Sequence, residues 1–381
     1  MLGSHEYPPY APDTGFYKEL CSRVGRYFEK NKINPKDPIP ALWRMTLVFL
    51  CAFATFYYGF SRVLDSMIIR CLFCMLFGVF QALPLLHIMH DSSHMAFGPS
   101  EKWWQIGGRF AMDFFAGAQM TSWHNQHTIG HHIYTNVILA DPDLPSDLGR
   151  DPRHLVERQK FMSFHKYQHI YLPPLYGILS IKFRFQDFLE TFGGGHNGPI
   201  RVNPISTFMW GELIVSKLVW VGWRFLLPFY LFDYSIDSTS DWMEIVALNT
   251  LAEFITGYYL AFNFQVSHVS TTCDYPLGSD DSSEISDEWA VSQVRTSVDY
   301  SHGNYLTTFL AGALNYQVTH HLFPCVSQYH YPAIAPIVME VCKEYEVNYK
   351  VLPSFAEAFA CHILYLKEMG EKGQSVPFEM G

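Results

Sequence analysis

The 381-residue sequence is short of charge. Only 16% of its residues are Asp, Glu, Lys or Arg, while 49% are apolar and 17% aromatic. That balance is too greasy for an ordinary soluble enzyme and points to a membrane. Positive charge is the scarcer sign, with 26 Lys and Arg against 36 Asp and Glu, a formal net charge of -10. Nucleic acid is therefore a poor partner, because binding phosphates needs a basic surface. The eight cysteines are scattered and lack the spacing of a disulfide framework. Cys71 and Cys74 form a CxxC inside an apolar run, where they read as two small apolar residues. The opening residues, MLGSHEYPPYAPDTG, lack the apolar core of a secretory signal, so no cleavable leader is expected. Internal repeats and low-complexity tracts are missing too.

What the chain does have is long apolar runs. Four of them, at 42–60, 66–89, 207–232 and 242–266, reach the roughly 20 residues that a helix needs to cross a bilayer. They form two hairpins with short links at 61–65 and 233–241. The first link holds one cation, Arg62, and the second holds none, whereas Lys18, Arg23, Arg26, Lys30, Lys32 and Lys36 crowd the N-terminal segment. The positive-inside rule then puts both termini and the central segment in the cytosol. Glu212, Lys217, Glu244 and Glu253 interrupt the last two runs and are expected to face the bundle interior. Residues 14–30 place Phe16, Leu20, Val24, Tyr27 and Phe28 at helical spacing. Such an amphipathic helix lies either on the cytosolic leaflet or on the protein's own cytosolic domain. Residues 171–185, broken by Pro173 and Pro174, read as an interfacial segment rather than a fifth span. The expected fold is an all-α integral membrane protein with four transmembrane helices in two hairpins under a cytosolic helical cap. Residues 1–40 form an N-terminal segment, 41–345 the membrane domain and 346–381 a C-terminal tail.

The eighteen histidines are unevenly spread. HDSSH supplies His90 and His94 at the end of the second run, HTIGHH supplies His127, His131 and His132, and QVTHH supplies His320 and His321, with Gln317 one turn earlier. His268 stands alone at the end of the fourth run. On an α-helix His90 and His94 share a face, as do His127 and His131, while His132 is turned by about 100° and is free to serve a second ion. The hairpin topology gathers all eight histidines into one layer at the membrane–cytosol boundary. Eight imidazoles exceed the four ligands of a single zinc site. They suit a pair of first-row metals, with nitrogen donors favouring iron, zinc or copper. His87, one turn before His90, reads as a buried hydrogen-bonded group rather than a ninth ligand.

HDSSH, HTIGHHIYTN…DPDL and NYQVTHHLFP together resemble the three histidine boxes of the membrane fatty acid desaturase family, over about residues 40–345. Gln317 at the head of the third box, with QVRTSVDY upstream, is similar to the front-end subgroup, which inserts a double bond between an existing one and the carboxyl end. The resemblance implies two Fe ions, Fe2+ or Fe3+, ligated by His90, His94, His127, His131, His132, His268, His320 and His321. It implies O2 as co-substrate, an acyl-CoA or acyl-lipid substrate in the membrane, and an endoplasmic reticulum location. Breaking an unactivated alkyl C–H bond is beyond a side-chain acid or base, which fits such a metal–oxygen oxidant. Gln317 would coordinate weakly, act through water or only hydrogen-bond. Asp91 and Asn136 are candidates for orienting ligands from behind, and Asp141 and Asp143 either do the same or cap a helix. No ligand role carries over to His124 or His302.

The HPGG haem signature of a fused cytochrome b5 domain does not occur in these residues. Electrons are therefore expected from a separate cytochrome b5 and its reductase, unless such a domain has been removed. The basic residues from Lys18 to Lys36 are candidates for meeting that acidic donor, and DYPLGSDDSSEISDE reads as a solvated loop that would repel it. Three other readings stay open: a sphingolipid or fatty acid hydroxylase with the same site, a zinc-dependent membrane amidase or receptor needing fewer histidines, and a metal-free pH sensor. The topology is directly testable. Tags at both ends should be cytosolic and a glycosylation acceptor placed in 233–241 should be modified, whereas modification of one inserted near residue 150 would contradict the two-hairpin arrangement.

Overall fold

The computed structural model describes residues 7–145, 148–193, 195–279 and 282–372. The rest of the C-terminal tail, from 373, and residues 280–281 of the acidic stretch lie outside them. Among the described residues four helices are long and apolar enough to cross a membrane: Ile39–Phe60, Met67–Ser93, Thr207–Leu231 and Thr239–Gln265. Their limits fall within a few residues of the apolar runs. Pro40 sits in the first turn of the first helix, where a missing N–H costs nothing. Ser206 and Ser238 cap the third and fourth by accepting from the N–H groups of Met209 and Asp241. The second and fourth spans have 27 residues each, roughly 40 Å at 1.5 Å per residue, against about 30 Å of hydrocarbon. The second span carries His87 and His90 near its end, and His268 follows the fourth span by three residues. Span two meets span four closely at Gly78, where a Cβ would stand 2.5 Å from the Ala252 carbonyl oxygen. A small residue is needed there.

Each of the four charges expected to face the bundle interior, Glu212, Lys217, Glu244 and Glu253, is paired from another element. Glu212 meets Arg109 at 2.9 Å, Lys217 meets Asp187 at 2.6 Å, and Glu244 meets Arg70 at 2.6 Å and Arg62 at 2.8 Å. Glu253 meets both Arg184 at 2.7 Å and Arg224 at 3.1 Å, and also accepts from Gln81 and Ser180. All face inward, as the cost of lipid-exposed charge requires. Arg184 and Ser180 belong to the helical stretch Gln168–Leu175, Tyr176–Ile178 and Leu179–Phe192, which packs along the fourth span rather than crossing as a fifth.

The N-terminal helix Phe16–Asn31 buries Phe16, Leu20, Val24 and Phe28 in one cluster with Ile334, Val338 and Val341 of the helix Tyr331–Glu344. Its apolar face is thus spent on the protein itself, which decides against the leaflet. The C-terminal segment is built into the cap as well. Val351–Leu352 pairs in parallel with Asp299–Tyr300, and the helix Phe355–Lys372 buries Ala358, His362, Leu366 and Met369. Replacing Glu253 by Ala leaves two buried guanidiniums facing one another without their anion. We expect a loss of about 3–5 kcal/mol, seen as a lower melting temperature in detergent, and a smaller loss for Glu253→Gln; an unchanged melting temperature for both would show that the pair does not hold the bundle.

Candidate metal centre

The second span does not reach its histidines as a plain α-helix. Leu85–Met89 is a π-helical turn, with i→i+5 hydrogen bonds, leading into His90–Ser93. The second box lies on another, His124–His131, where the His132 N–H donates to the His127 carbonyl at 3.0 Å. Turns of this kind add a residue per turn and are frequent at functional sites. Here the wider turn changes which histidines align. His127 and His132, five apart, bring their Nε2 atoms to 3.2 Å. His131, four from His127, is turned into a different group. The expectation that His127 and His131 serve one centre is therefore corrected: an α-helical period was assumed where the local winding is wider.

The seven box histidines and His268 converge, none more than 6% exposed. His90, His94, His127 and His320 form one group whose ring nitrogens lie within 4.8 Å of each other. His90 and His127 bring their Nε2 atoms to 3.0 Å. His131, His268 and His321 form a second group, with the Nε2 of His268 at 3.4 Å from that of His131 and 3.1 Å from that of His321. His132 stands between, grouped with His320 and His321. Gln317 belongs to the second group, its amide Nε2 at 2.8 Å from His268 Nε2 and 3.2 Å from His321 Nε2. Its Oε1 is buried without a partner, and a half-turn of the amide would bring that oxygen to the same place. Burial holds His94, His127, His132, His268, His320 and His321 well below the ordinary imidazole range, so they are neutral and offer lone pairs.

A family profile described as fatty acid desaturase matches residues 66–353. The chain belongs to the fatty acid desaturase family. It is a multi-pass membrane oxidoreductase. The Delta(5) fatty acid desaturase A of Dictyostelium discoideum is 39% identical over 97% of this chain and 78% of its own length. The acyl-lipid (8-3)-desaturase of Mortierella alpina is 36% identical over 97% and 81%. The sn-1 linoleoyl-lipid 6-desaturase of a Synechocystis strain is 27% identical over 94% and 96%.

Around this desaturase's histidines a second layer fixes the rings. Asp141 accepts from His131 Nδ1 at 3.0 Å, the Thr296 carbonyl from His268 Nδ1 at 3.1 Å, and Gln293 Oε1 from His321 Nδ1 at 2.8 Å. In each case the anchor takes the Nδ1 proton, so Nε2 is the atom through which the ring would bind a metal. Burial alone would depress His131, but the charges and hydrogen bond of Asp141, with Asp143, overcome it and hold the ring at about 9. Asp141 is thus a ring anchor, while Asp143 stands at 3.6 Å from the same nitrogen and accepts from Gln126. Asp91 is not such an anchor. One residue on from His90 it is turned away from the rings, and it accepts from Ser327 Oγ at 3.0 Å and from the Gln328 N–H and amide. Asn136 touches no ring either. In a left-handed conformation, φ 57, it donates to the carbonyls of His268, Asp274 and Thr296, which fixes both the backbone of His268 and the acceptor of its ring.

Sequence reasoning missed Gln293 and Tyr331, whose hydroxyl lies 3.1 Å from His320 Nδ1. Gln293 opens the stretch QVRTSVDY, so its position was marked although its role was not. His87 lies outside both groups, with one ring nitrogen on Tyr329 and the other on the Phe309 carbonyl. His124 reaches only the Ser93 carbonyl, and His302 bonds Asp299 at 2.8 Å and stacks on Tyr316. His268 therefore gives the sharpest test. His268→Ala should lower bound metal and abolish product while the protein still inserts, whereas His302→Ala should keep its metal and most activity; metal analysis of the two purified variants showing no difference would remove His268 from the site.

Proposed function

We propose that this desaturase is a front-end enzyme acting on an acyl-lipid. It inserts a cis double bond between an existing double bond and the carboxyl end of a polyunsaturated chain. In this reading two irons are held by the seven box histidines and His268, and cytochrome b5 with its reductase supplies electrons. The cap and both termini lie on the cytosolic side of the endoplasmic reticulum. The observation that carries the reading is the donor set. Ring Nε2 atoms approach to 3.0–3.4 Å, and His94 Nε2, His320 Nε2 and Gln317 Oε1 are buried without a partner. Converging neutral lone pairs repel, and unpartnered buried polar atoms are costly; a cation between them removes both penalties. Nitrogen donors without thiolate fit iron. The relatives named Delta(5) and acyl-lipid (8-3) desaturases support the regiochemistry and the carrier.

The overall change removes two hydrogen atoms from adjacent methylenes. With O2, two electrons and two protons it gives a double bond and two waters. Bound iron would supply the oxygen chemistry that no side chain can. The chain's own residues do the rest. Asp141, Thr296 and Gln293 hold a proton on the far nitrogen of three rings and so aim their lone pairs. Burial of the whole layer excludes bulk water from the reacting carbons. Iron should be found at about two per chain, and a host fed with polyunsaturated acids should yield lipids with one new double bond by gas chromatography. Purified protein with O2 and reductase should stay inactive until cytochrome b5 is added. Zinc in place of iron, or full turnover with no added donor, would overturn the corresponding part of the reading.

A further inference from the structure

The two histidine groups differ in what surrounds them. A cavity of about 30 Å³ opens onto His131, His268 and Gln317, and Trp123, Leu144 and Val269 form its apolar wall. Room of that size takes one or two water-sized molecules. Of the first group only His127 reaches the cavity; His90, His94 and His320 are not among its lining residues. Those three pack instead against other imidazoles, with ring centroids of 4.5 Å between His90 and His320, and 4.4 Å between His94 and His132.

Donor strength is unequal in the same sense. The first group has four imidazoles, His90, His94, His127 and His320, and His132 stands between the two groups, beside both His320 and His321. The second has three imidazoles, His131, His268 and His321, and the amide of Gln317. An amide oxygen is a weaker donor than imidazole, and catalytic metal sites characteristically keep a position that protein ligands do not fill strongly. Gln317 also faces the cavity, is 3% exposed and has an unpartnered Oε1. The three rings of this group are the ones anchored at Nδ1 by Asp141, Thr296 and Gln293. The more rigidly held, less fully ligated group is therefore the one with space in front of it.

We propose that access is confined to this second group: dioxygen and the reacting methylenes reach the centre beside His131, His268, His321 and Gln317, and the first group is closed to small ligands. Leu144 and Val269 then determine specificity, because they set how closely the chain approaches. The inference rests on the di-iron desaturase reading. It adds that the two metal positions are unequal, and that Gln317 marks the open one.

Azide is a small anionic probe for an accessible ferric ion, and it can be titrated optically into the oxidised, iron-loaded protein without turnover. Val269→Phe fills the cavity from the segment after the fourth span, and Leu144→Phe fills it from the loop after the second box. Each should retain the wild-type iron content and weaken azide binding at least about tenfold, some 1.4 kcal/mol. Val269→Ala should bind azide at least as tightly as wild type and alter the distribution of double-bond positions in the product. If one Phe variant fails to fold, the other, on a separate segment, decides. Wild-type azide affinity in an iron-replete Phe variant would overturn the inference. Wild-type protein that lacks iron or makes no double bond would instead overturn the reading beneath it.

Discussion

Eight imidazoles are confined out of water, and to share metal ions all of them, His131 included, must give up any proton on the metal-facing nitrogen and point their lone pairs at one centre. That constraint organises the rest of the molecule. A protonated ring in the layer would face several neighbours of like charge, and a neutral layer alone leaves acceptors opposed to acceptors. Neither arrangement is comfortable without a cation, so metal binding here would contribute folding free energy as well as chemistry. The ring anchors matter for the same reason. Asp141, Thr296, Gln293 and Tyr331 each engage an Nδ1, and a ring fixed on its outer edge cannot turn its lone pair away.

The bundle beneath is held by polar contacts that the membrane makes expensive to break. Arg109, Arg184 and Asp187 sit outside the four spans, yet each pairs with a charge inside one: Glu212, Glu253 and Lys217. The helices Glu101–Arg109 and Leu179–Phe192 are in this way pinned to the third and fourth spans. From the second of them the contacts continue to the site. Glu190 accepts from Ser122 and Gln186, Gln186 donates to Gln126, and Gln126 donates to Asp143. One network of side chains thus runs from the spans to the loop that anchors His131. These contacts tie the helix Leu179–Phe192 to the loop of Asp143, and a site that must hold ring positions closely benefits from a stiff floor.

Much of this could be read in advance. The spans followed from apolar length, and their interior charges from cost. The boxes followed from spacing and from likeness to a known pattern. What was not legible has a common cause. Helical winding was taken as uniform, but Leu85–Met89 and His124–His131 are π-helical, and one inserted residue per turn is a tertiary outcome that no local propensity announces. It separated His131 from His127 and aligned His127 with His132. Asp91 failed as an anchor for a related reason. Adjacency in sequence to His90 means divergence on a helix, and its partners, Ser327 and Gln328, lie more than two hundred residues away. Gln293 and Tyr331 lie 28 and 11 residues from the rings they hold, on other helices, so no local spacing pairs them.

The same tertiary placement narrows where an acidic electron donor would meet the cap. The sequence offered every cation from Lys18 to Lys36 and set the acidic stretch apart as a loop. In the fold the two are neighbours: Tyr10 bridges to Ile285, and the Thr14 N–H donates to Glu288. The start of the N-terminal helix therefore lies beside Glu284 and Asp287. Arg23 is already engaged by Glu19 and Glu344, and Arg26 reaches Glu19 at 4.0 Å. Lys30 and Lys32 are exposed at the opposite end of the helix. Like charge near residue 284 would deter an acidic partner, and the far end would attract it. Acidic neighbours thus crowd the start of this helix, where Lys18 lies, and the donor face we propose shrinks from the whole basic segment to Lys30 and the Lys32–Lys36 loop.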